Sequence, residues 1–338
     1  MWLLVLFLTS TVGTAQDAST LSSRAESLAR EQRFDEAEQL WKRAIAASPK
    51  SFPALFNLGY FYYARQNFAD AAPFLRRAAE ESPTDFNARY LLGVSLSKLG
   101  RPEDGLRAWR DALRLQPRNL RLLQIMSVEY SKGRYFEDAA TVALKAMELK
   151  SDDPNIYFLA IKAYQDAGND VAAADIARRA AERFPDSARA NFEYAYHLQK
   201  QGKIAEAEHL FQRSMVLDPS YEEPPFFYGN LLVDQDRSAD AIPYLQKAIR
   251  NRRDYVPARV VLARALINLA KWDEALNALK ETIEMDPKHP QPHLLLSQVY
   301  FRLGDEAQAK AEKQISLRLR RENPSILEAP QARPFPSP

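Results

Sequence analysis

The sequence contains no cysteine, which excludes disulfide bonds, thiolate metal sites and cysteine catalysis. Glycine is scarce as well, at 10 of 338 residues, and a chain poor in glycine and rich in alanine favours an all-α fold. Basic and acidic residues nearly balance, at 46 and 44, so the net charge of +2 predicts no general attraction to nucleic acid or membranes. A phosphate-binding loop, a glycine-rich dinucleotide turn and an H-E-x-x-H zinc motif are also missing. No enzymatic activity, catalytic residue or cofactor is predicted.

What the sequence does contain is an internal repeat. Residues 52–119 consist of two adjoining copies of a unit of 34 residues, in which Gly59 aligns with Gly93 and Pro83 with Pro117. A fixed period of this size indicates a repeat array rather than a single globular core.

Extending the same step in both directions gives nine units over residues 18–323. The predicted units begin at residues 18, 52, 86, 120, 154, 188, 222, 256 and 290. Position 32 is proline in six of the nine units, position 20 is alanine or glycine in all nine, and position 27 is alanine, serine or threonine. Two columns of small residues over nine units indicate that the division into units of 34 residues is correct.

The spacing within a unit predicts two antiparallel helices. Leu55, Leu58, Gly59 and Tyr62 lie at i, i+3, i+4 and i+7, which places them on one face of a first helix, and positions 20, 24, 27 and 28 form a second such face. Small residues at positions 8, 20 and 27 allow close approach of the two helices. Since one helix pair cannot bury its apolar face alone, the units are expected to stack into an α-solenoid.

Glycine and proline mark the ends of these helices. Glycine near position 15 suits the turn between them, at Gly100, Gly168, Gly202 and Gly304, with Gly133 one place early. Proline at position 32 ends the second helix, since proline cannot continue one. Pro73 and Pro243 fall early in second helices, where we expect a local distortion at most.

The units resemble the tetratricopeptide repeat (TPR). The resemblance rests on the columns of small residues, on leucine or tyrosine at positions 7 and 11, and on proline at position 32. It also rests on an aromatic residue at position 24, such as Trp41, Trp109 or Phe211. The resemblance covers about nine tenths of the chain. It implies an all-α solenoid of about nine helix-turn-helix units, wound as a right-handed superhelix, whose first helices line a concave groove. It also implies a non-catalytic scaffold for protein–protein interaction.

In this family, positions 2, 5, 9, 12 and 13 of the first helix tend to face the groove. The resemblance therefore gives as candidate partner-binding residues Phe56, Tyr60, Tyr63, Tyr90, Phe158, Lys162, Phe192, Tyr196, Phe226, Asn230 and Arg264. The aromatic residues would anchor a partner segment, and Lys162, Asn230 and Arg264 would hold its polar groups. The alternative is that position 5 is buried between neighbouring first helices and serves only packing.

The occupant of such a groove has two interpretations. Phe56 stands where some family members have a lysine that holds a peptide carboxylate, so a carboxylate clamp is not expected. A protein or peptide segment with apolar anchors is the first interpretation. The second is a glycan, because aromatic strips also stack on sugars and exported arrays resembling this one serve polysaccharide export. No nucleic-acid partner is expected.

The first fifteen residues resemble an export signal. An apolar run, Trp2–Leu8, is followed by small residues at Gly13 and Ala15, which suit cleavage before Gln16. No lysine or arginine precedes the run, so an uncleaved anchor or a misassigned start is the alternative. We predict a signal peptide over 1–15, membrane contact only through that peptide, and a periplasmic or extracellular location.

After Glu322 the sequence changes in character. Residues 324–338 contain five prolines, which predicts a disordered tail. Recognition of this segment by a proline-binding partner is the alternative.

Two features could suggest chemistry but have structural explanations. His289 and His293 have a spacing that a metal could use, yet the prolines around them place both in a connection between units, and no metal site is predicted. Position 19 carries a carboxylate in seven units, which is explained by favourable charge at the N-terminal turn of the second helix.

Overall fold

The computed structural model describes residues 3–150 and 152–322, with side chains from Asp17 onward. Over these residues the chain folds into eighteen α-helices and contains no β-strand. Two compact contact units are present, residues 1–173 and residues 174–338. The all-α prediction is confirmed, and the hand of the superhelix stays a prediction.

In the first contact unit, the helices are α1 (Leu3–Arg30), α2 (Phe34–Ala47), α3 (Phe52–Ala64), α4 (Phe68–Glu81), α5 (Phe86–Lys98), α6 (Pro102–Leu115), α7 (Leu120–Lys132), α8 (Phe136–Leu149) and α9 (Pro154–Asp166). Helix α10 (Asp170–Arg183) contains the boundary between the contact units.

In the second contact unit, the helices are α11 (Ala188–Lys200), α12 (Ile204–Leu217), α13 (Glu223–Asp234), α14 (Ser238–Asn251), α15 (Val256–Asn268), α16 (Trp272–Met285), α17 (Pro290–Arg302) and α18 (Glu306–Glu322). We call the odd-numbered helices A helices and the even-numbered ones B helices. From α3 to α17, the A helices begin at the predicted starts of units two to nine, except α13, which begins one residue later.

Size complementarity between positions 8 and 24 sets how closely an A helix meets its B helix. A Cβ atom added at Gly59 would lie 2.9 Å from Cγ of Leu75, and one at Gly229 would lie 2.8 Å from Cγ of Leu245. Such distances are too short for carbon atoms, so these A helices pack closely on their B helices because position 8 has no side chain there. This contact explains why the repeat tolerates a large residue at position 24.

Position 15 has a left-handed backbone in every repeat. Its φ angle is positive at Gly100, Gly168, Gly202 and Gly304, and also at Gln32, Gln66, Arg134, Asp236 and Ala270. The expected role of Gly133 is corrected: it is the C-cap of α7 with φ of −76°, and its neighbour Arg134 takes the left-handed conformation instead. The geometry of the turn therefore fixes the position, whether or not glycine occupies it.

Prolines occur at the first position of some A helices and, as expected for Pro73 and Pro243, inside B helices without ending them. Pro154 and Pro290 begin α9 and α17, where a missing N–H costs no helical hydrogen bond. Helices α4 and α14 continue through Pro73 and Pro243.

The ends of the chain add two observations. Helix α1 runs from Leu3 to Arg30, so the predicted cleavage site before Gln16 falls within a helix, and the signal peptide stays a prediction. No helix in the described part of the chain is both long and apolar enough to cross a lipid bilayer. The predicted disordered tail, 324–338, lies outside the described residues.

Candidate functional site

We use the term A face for positions 2, 5, 9, 12 and 13 of the A helices. These positions are separated by three or four residues, or by one in the last case, and therefore lie on one side of each helix. All eleven candidate residues named from the sequence lie on this face.

In the first contact unit, α3 carries a ladder of aromatic rings on its A face. The ring centroids of Phe52 and Phe56 lie 5.6 Å apart, those of Phe56 and Tyr60 lie 6.4 Å apart, and those of Tyr60 and Tyr63 lie 6.4 Å apart. On α5, Phe86 stacks on Tyr90 at 5.7 Å. Successive rings stabilise one another at these distances. The side chain of Tyr60 is 51% exposed, so the ladder presents an accessible aromatic ring.

A pocket of about 390 Å³ opens on the A face beside this ladder. Its lining combines aromatic and apolar side chains with a few polar ones, contributed by Tyr63, Tyr90, Val94, Ser97, Lys98, Trp109, Arg121, Gln124, Ile125, Val128, Glu129 and Lys132. Burial raises the pKa of the Tyr63 hydroxyl further above neutral pH, where a tyrosine is protonated in any case and can donate a hydrogen bond. Pockets of this composition bind ligands through apolar anchors and a few placed polar groups.

Two cationic side chains on the rim of this pocket have no ion-pair partner among the described residues. The side chains of Lys98 and Arg121 are exposed, and neither forms a hydrogen bond or an ion pair with the residues that the structure describes. Lys132 lies 3.7 Å from the single carboxylate of the lining, Glu129. The rim therefore carries a positive charge that suits a carboxylate on a ligand. Sequence reasoning missed Lys98 and Arg121 because it followed the aromatic column.

In the second contact unit, the position 5 phenylalanines are packing residues. Phe192 is fully buried, with ring centroids 5.3 Å from Phe227, 5.5 Å from Tyr221 and 6.0 Å from Phe211. Phe226 is buried as well. The same holds for Phe158 of the first contact unit.

These observations correct the expectation of an aromatic strip exposed along the whole array. Position 5 is buried at Phe158, Phe192 and Phe226 and only half-buried at Phe56 and Tyr90. The alternative interpretation, packing, describes the three buried rings. Their simultaneous replacement by alanine would remove core contacts as well as any contact with a partner.

The polar residues predicted to hold a partner have partners within the chain. The Nζ atom of Lys162 lies 3.0 Å from both carboxylate oxygens of Asp166. Arg264 donates to Oδ1 of Asn230 at 2.9 Å and to Oδ1 of Asp234 at 2.8 Å, and Asn230 donates to Asp234 at 3.1 Å. Asp166 and Asp234 occupy position 13, which lies one helical turn from position 9. The i, i+4 spacing was a signal that sequence reasoning did not use.

Tyr196 lies between an aromatic ring and a cation. The ring centroid of Tyr196 is 5.4 Å from that of Phe227, and the Nζ atom of Lys200 lies 5.8 Å from the Tyr196 centroid. The ring is half-buried.

The two histidines near the start of α17 have structural roles, and the prediction that both lie in a connection is wrong for His293. His293 lies inside α17, is buried, and its Nδ1 atom is 2.6 Å from Oε2 of Glu312 in α18. His289 is the N-cap of α17, where Nδ1 accepts a hydrogen bond from the Gln291 amide at 3.3 Å. Among the described residues no cluster of three histidine, aspartate or glutamate side chains could hold a metal ion.

A second open pocket, of about 750 Å³, lies among α15, α16, α17 and α18. Its lining includes Trp272, the 62% exposed Phe301, Lys310 and Lys313. None of the eleven candidate residues lines it.

Comparison with protein families gives two matches, both to models of the tetratricopeptide repeat. One model matches residues 23–86 and 158–222, and the other matches residues 232–281 and 270–314. Together these segments cover more than half of the chain. No curated protein matches the chain.

Several solved structures are similar in fold. The chain matches the APC/C hetero-tetramer Cut9–Hcn1 with a TM-score of 0.54 at 16% identity, over 89% of this chain and 59% of that one. It also matches YrrB, a TPR protein with an unusual peptide-binding site, with a TM-score of 0.46 at 20% identity, over 57% and 99% of the two chains. MamA from Desulfovibrio magneticus RS-1 gives 0.46 at 16% identity, over 50% and 96%. At 16% identity, the similarity to the Cut9–Hcn1 assembly establishes the fold alone.

Proposed function

The chain belongs to the tetratricopeptide repeat family, and we propose that it is a non-catalytic scaffold that binds a segment of a partner protein on the A face of α3, α5 and α7. Arrays of this family generally mediate protein–protein interaction, and a fold by itself does not identify the partner. The observation that carries the proposal is the pocket beside the aromatic ladder, with Lys98 and Arg121 uncommitted on its rim.

The chemistry of the pocket indicates the chemistry of the segment. Tyr60, Tyr63 and Tyr90 offer aromatic surface, which favours an aromatic or aliphatic anchor on the partner. Lys98 and Arg121 favour an acidic residue near that anchor. An extended or helical segment of a protein supplies both at the required spacing.

A glycan is the second candidate, and the ladder supports it less well. Sugar stacking requires open ring faces, whereas the rings of Phe56, Tyr60 and Tyr63 stack on one another with interplanar angles of 7° and 23°. In addition, a neutral sugar would leave the charges of Lys98 and Arg121 unused.

Short random peptides displayed on phage and selected on the full-length chain test this proposal. Selected peptides are expected to combine an aspartate or glutamate with an aromatic residue. The double variant Lys98→Glu and Arg121→Glu is expected to weaken their binding by at least about a hundredfold, since each charge-assisted contact contributes about 1.5–3 kcal/mol.

Arg118→Glu is the matched control, because Arg118 is exposed between α6 and α7 and is absent from the pocket lining. It is expected to leave affinity within about twofold, apart from long-range charge effects that salt screens. Peptides that bind the double variant as tightly as the wild type would contradict the proposal. Binding of an oligosaccharide panel with selected peptides absent would favour the glycan.

A further inference from the structure

The pocket among α15, α16, α17 and α18 lies at a groove that no further described helix fills. In the eighth unit, the equivalent groove between α15 and α16 is filled by α17, which contacts both helices. Leu295 and Val299 of α17 belong to one core cluster with Leu279 of α16. No described helix follows α18, and the groove between α17 and α18 is part of a pocket of about 750 Å³.

The ninth unit has cations at positions where other units bury apolar side chains. On α6, Leu106 and Trp109 are buried at positions 21 and 24. On α18 the same positions are Lys310 and Lys313, which are both exposed and both line the pocket. A purely apolar helix that packed here, as α17 packs on α16, would bury two charges without a counter-ion, which is costly. A helix that fits this groove therefore has to bring carboxylates.

The net charge of the lining leads to the same conclusion. Arg302 is a third cation of the pocket, and Glu306 is the single carboxylate of the lining. Neither Arg302, Lys310 nor Lys313 forms a hydrogen bond or an ion pair with any residue in the described part of the chain. The lining therefore has an excess of positive charge, which suits a ligand with several carboxylates.

The apolar part of the lining offers an anchor site. Ile267 and Trp272 contribute to it from the eighth unit, and the 62% exposed Phe301 contributes from α17. An apolar side chain of a ligand that packs among these residues would remove apolar surface of both molecules from water. The pocket is concave and admits such a side chain, whereas binding to a lipid bilayer requires apolar side chains that protrude.

We propose that this pocket is a second binding site, which takes an acidic amphipathic helix of a partner protein in the place that α17 occupies on the eighth unit. The helix carries apolar residues at the i, i+4 spacing of Leu295 and Val299, so that one apolar side enters the groove. Aspartate or glutamate beside them contacts Lys310 and Lys313. The pocket beside α3, α5 and α7 has a different lining, so this inference does not depend on the function proposed above.

Photo-cross-linking to a designed peptide tests the proposal. The probe is a biotinylated, alanine-based helical peptide of about 20 residues, with leucines at i, i+4 spacing and glutamates on both sides of them. In the full-length chain, p-benzoylphenylalanine replaces Phe301, so that only a ligand at this pocket is captured. The yield of cross-linked peptide is expected to saturate with peptide concentration. A peptide with glutamine in place of every glutamate should need at least about tenfold more to reach half-saturation.

A charge reversal within the pocket provides the second comparison. Lys313→Glu is expected to raise the half-saturating concentration of the glutamate peptide about tenfold, through loss of a charge-assisted contact. Lys288→Glu is the matched control, because Lys288 is exposed between α16 and α17 and is absent from the lining. It should stay within about twofold of the parent chain, as should the double variant Lys98→Glu and Arg121→Glu.

Three results would each overturn the proposal. The first is the absence of a saturable cross-link between position 301 and the glutamate peptide. The second is an equal half-saturating concentration for the glutamate and glutamine peptides, or equal effects of Lys313→Glu and Lys288→Glu. The third is a cross-link from position 301 to another part of the same chain or to a second copy, in a yield that the glutamate peptide does not lower.

Discussion

Replacing Gly93 by alanine tests the packing on which the repeat depends. A Cβ atom at Gly93 would lie 2.7 Å from Cε2 of Trp109 and closer still to Nε1, so the buried indole must move. That movement breaks the bond from Nε1 to the Tyr90 carbonyl, which is 3.0 Å long. Overpacking costs about 1–3 kcal/mol and the lost bond about 1 kcal/mol, whereas alanine gains about 1 kcal/mol in helix propensity. The expected net loss is about 1–3 kcal/mol.

The chain supplies the matched control for this variant. The sixth repeat has Ala195 at position 8 and Phe211 at position 24, both buried, in place of glycine and tryptophan. In a Trp109→Phe background, Gly93→Ala is therefore expected to be neutral or stabilising. Urea unfolding followed by circular dichroism of the four chains gives the coupling energy, which we expect to be at least about 1 kcal/mol. Equal effects of Gly93→Ala in the two backgrounds would refute the reasoning.

Three further substitutions and one sequencing measurement have expected outcomes. Ala270→Gly should stabilise the chain by about 1 kcal/mol in thermal unfolding, because position 270 has φ of 55° and alanine is strained there. Burial lowers the pKa of His289, so its contribution to stability is present above pH 6.5 and is lost as the pH falls through the lower folded value. His289→Asn, which keeps a cap without that titration, should flatten the loss in urea unfolding between neutral pH and pH 5. If the predicted signal peptide is cleaved, N-terminal sequencing of the mature chain should begin at Gln16. Phe192→Ala should destabilise by about 3–5 kcal/mol in urea, as a buried ring is lost.

Each of these has a contrary result. A lower melting temperature for Ala270→Gly would show that the left-handed turn is not strained. An identical pH dependence of stability in His289→Asn would show that protonation of His289 does not cause the loss of stability at low pH. A mature protein that retains Met1 would contradict the signal peptide. Unchanged stability of Phe192→Ala would place its ring on the surface rather than in the core.

The repeat explains why so much of the fold could be predicted. Close packing requires a small residue at position 20, and proline at position 32 marks the end of the second helix in six of the nine units, so the columns through Ala71 and Pro83 locate the helices. Turn position 15 was harder, because a left-handed backbone is compatible with Arg134 once the flanking helices fix it. The sequence pattern showed Gly133 instead.

The candidate site was less predictable because it depends on contacts between repeats. Phe192 packs on Phe211 and Tyr221 of its own repeat and on Phe227 of the next repeat. The pairing of Arg264 with Asn230 joins residues 34 apart on neighbouring A helices. The position of a residue within the repeat specifies which side of its helix the residue occupies. It does not specify the exposed fraction of the side chain, which depends on the neighbouring helices.

Contact of the A face of α3 with a partner protein is the central claim, and in-cell photo-cross-linking tests it most directly. A p-benzoylphenylalanine placed at the exposed Tyr60, in the full-length chain within its own cells, is expected to capture one protein through a segment that contains an acidic residue. The same probe at Tyr135, which is exposed at the N-cap of α8 and lies outside the A-face positions, is the control and should not capture it. Capture of the same protein from both positions, or capture of no protein from Tyr60, would contradict the account.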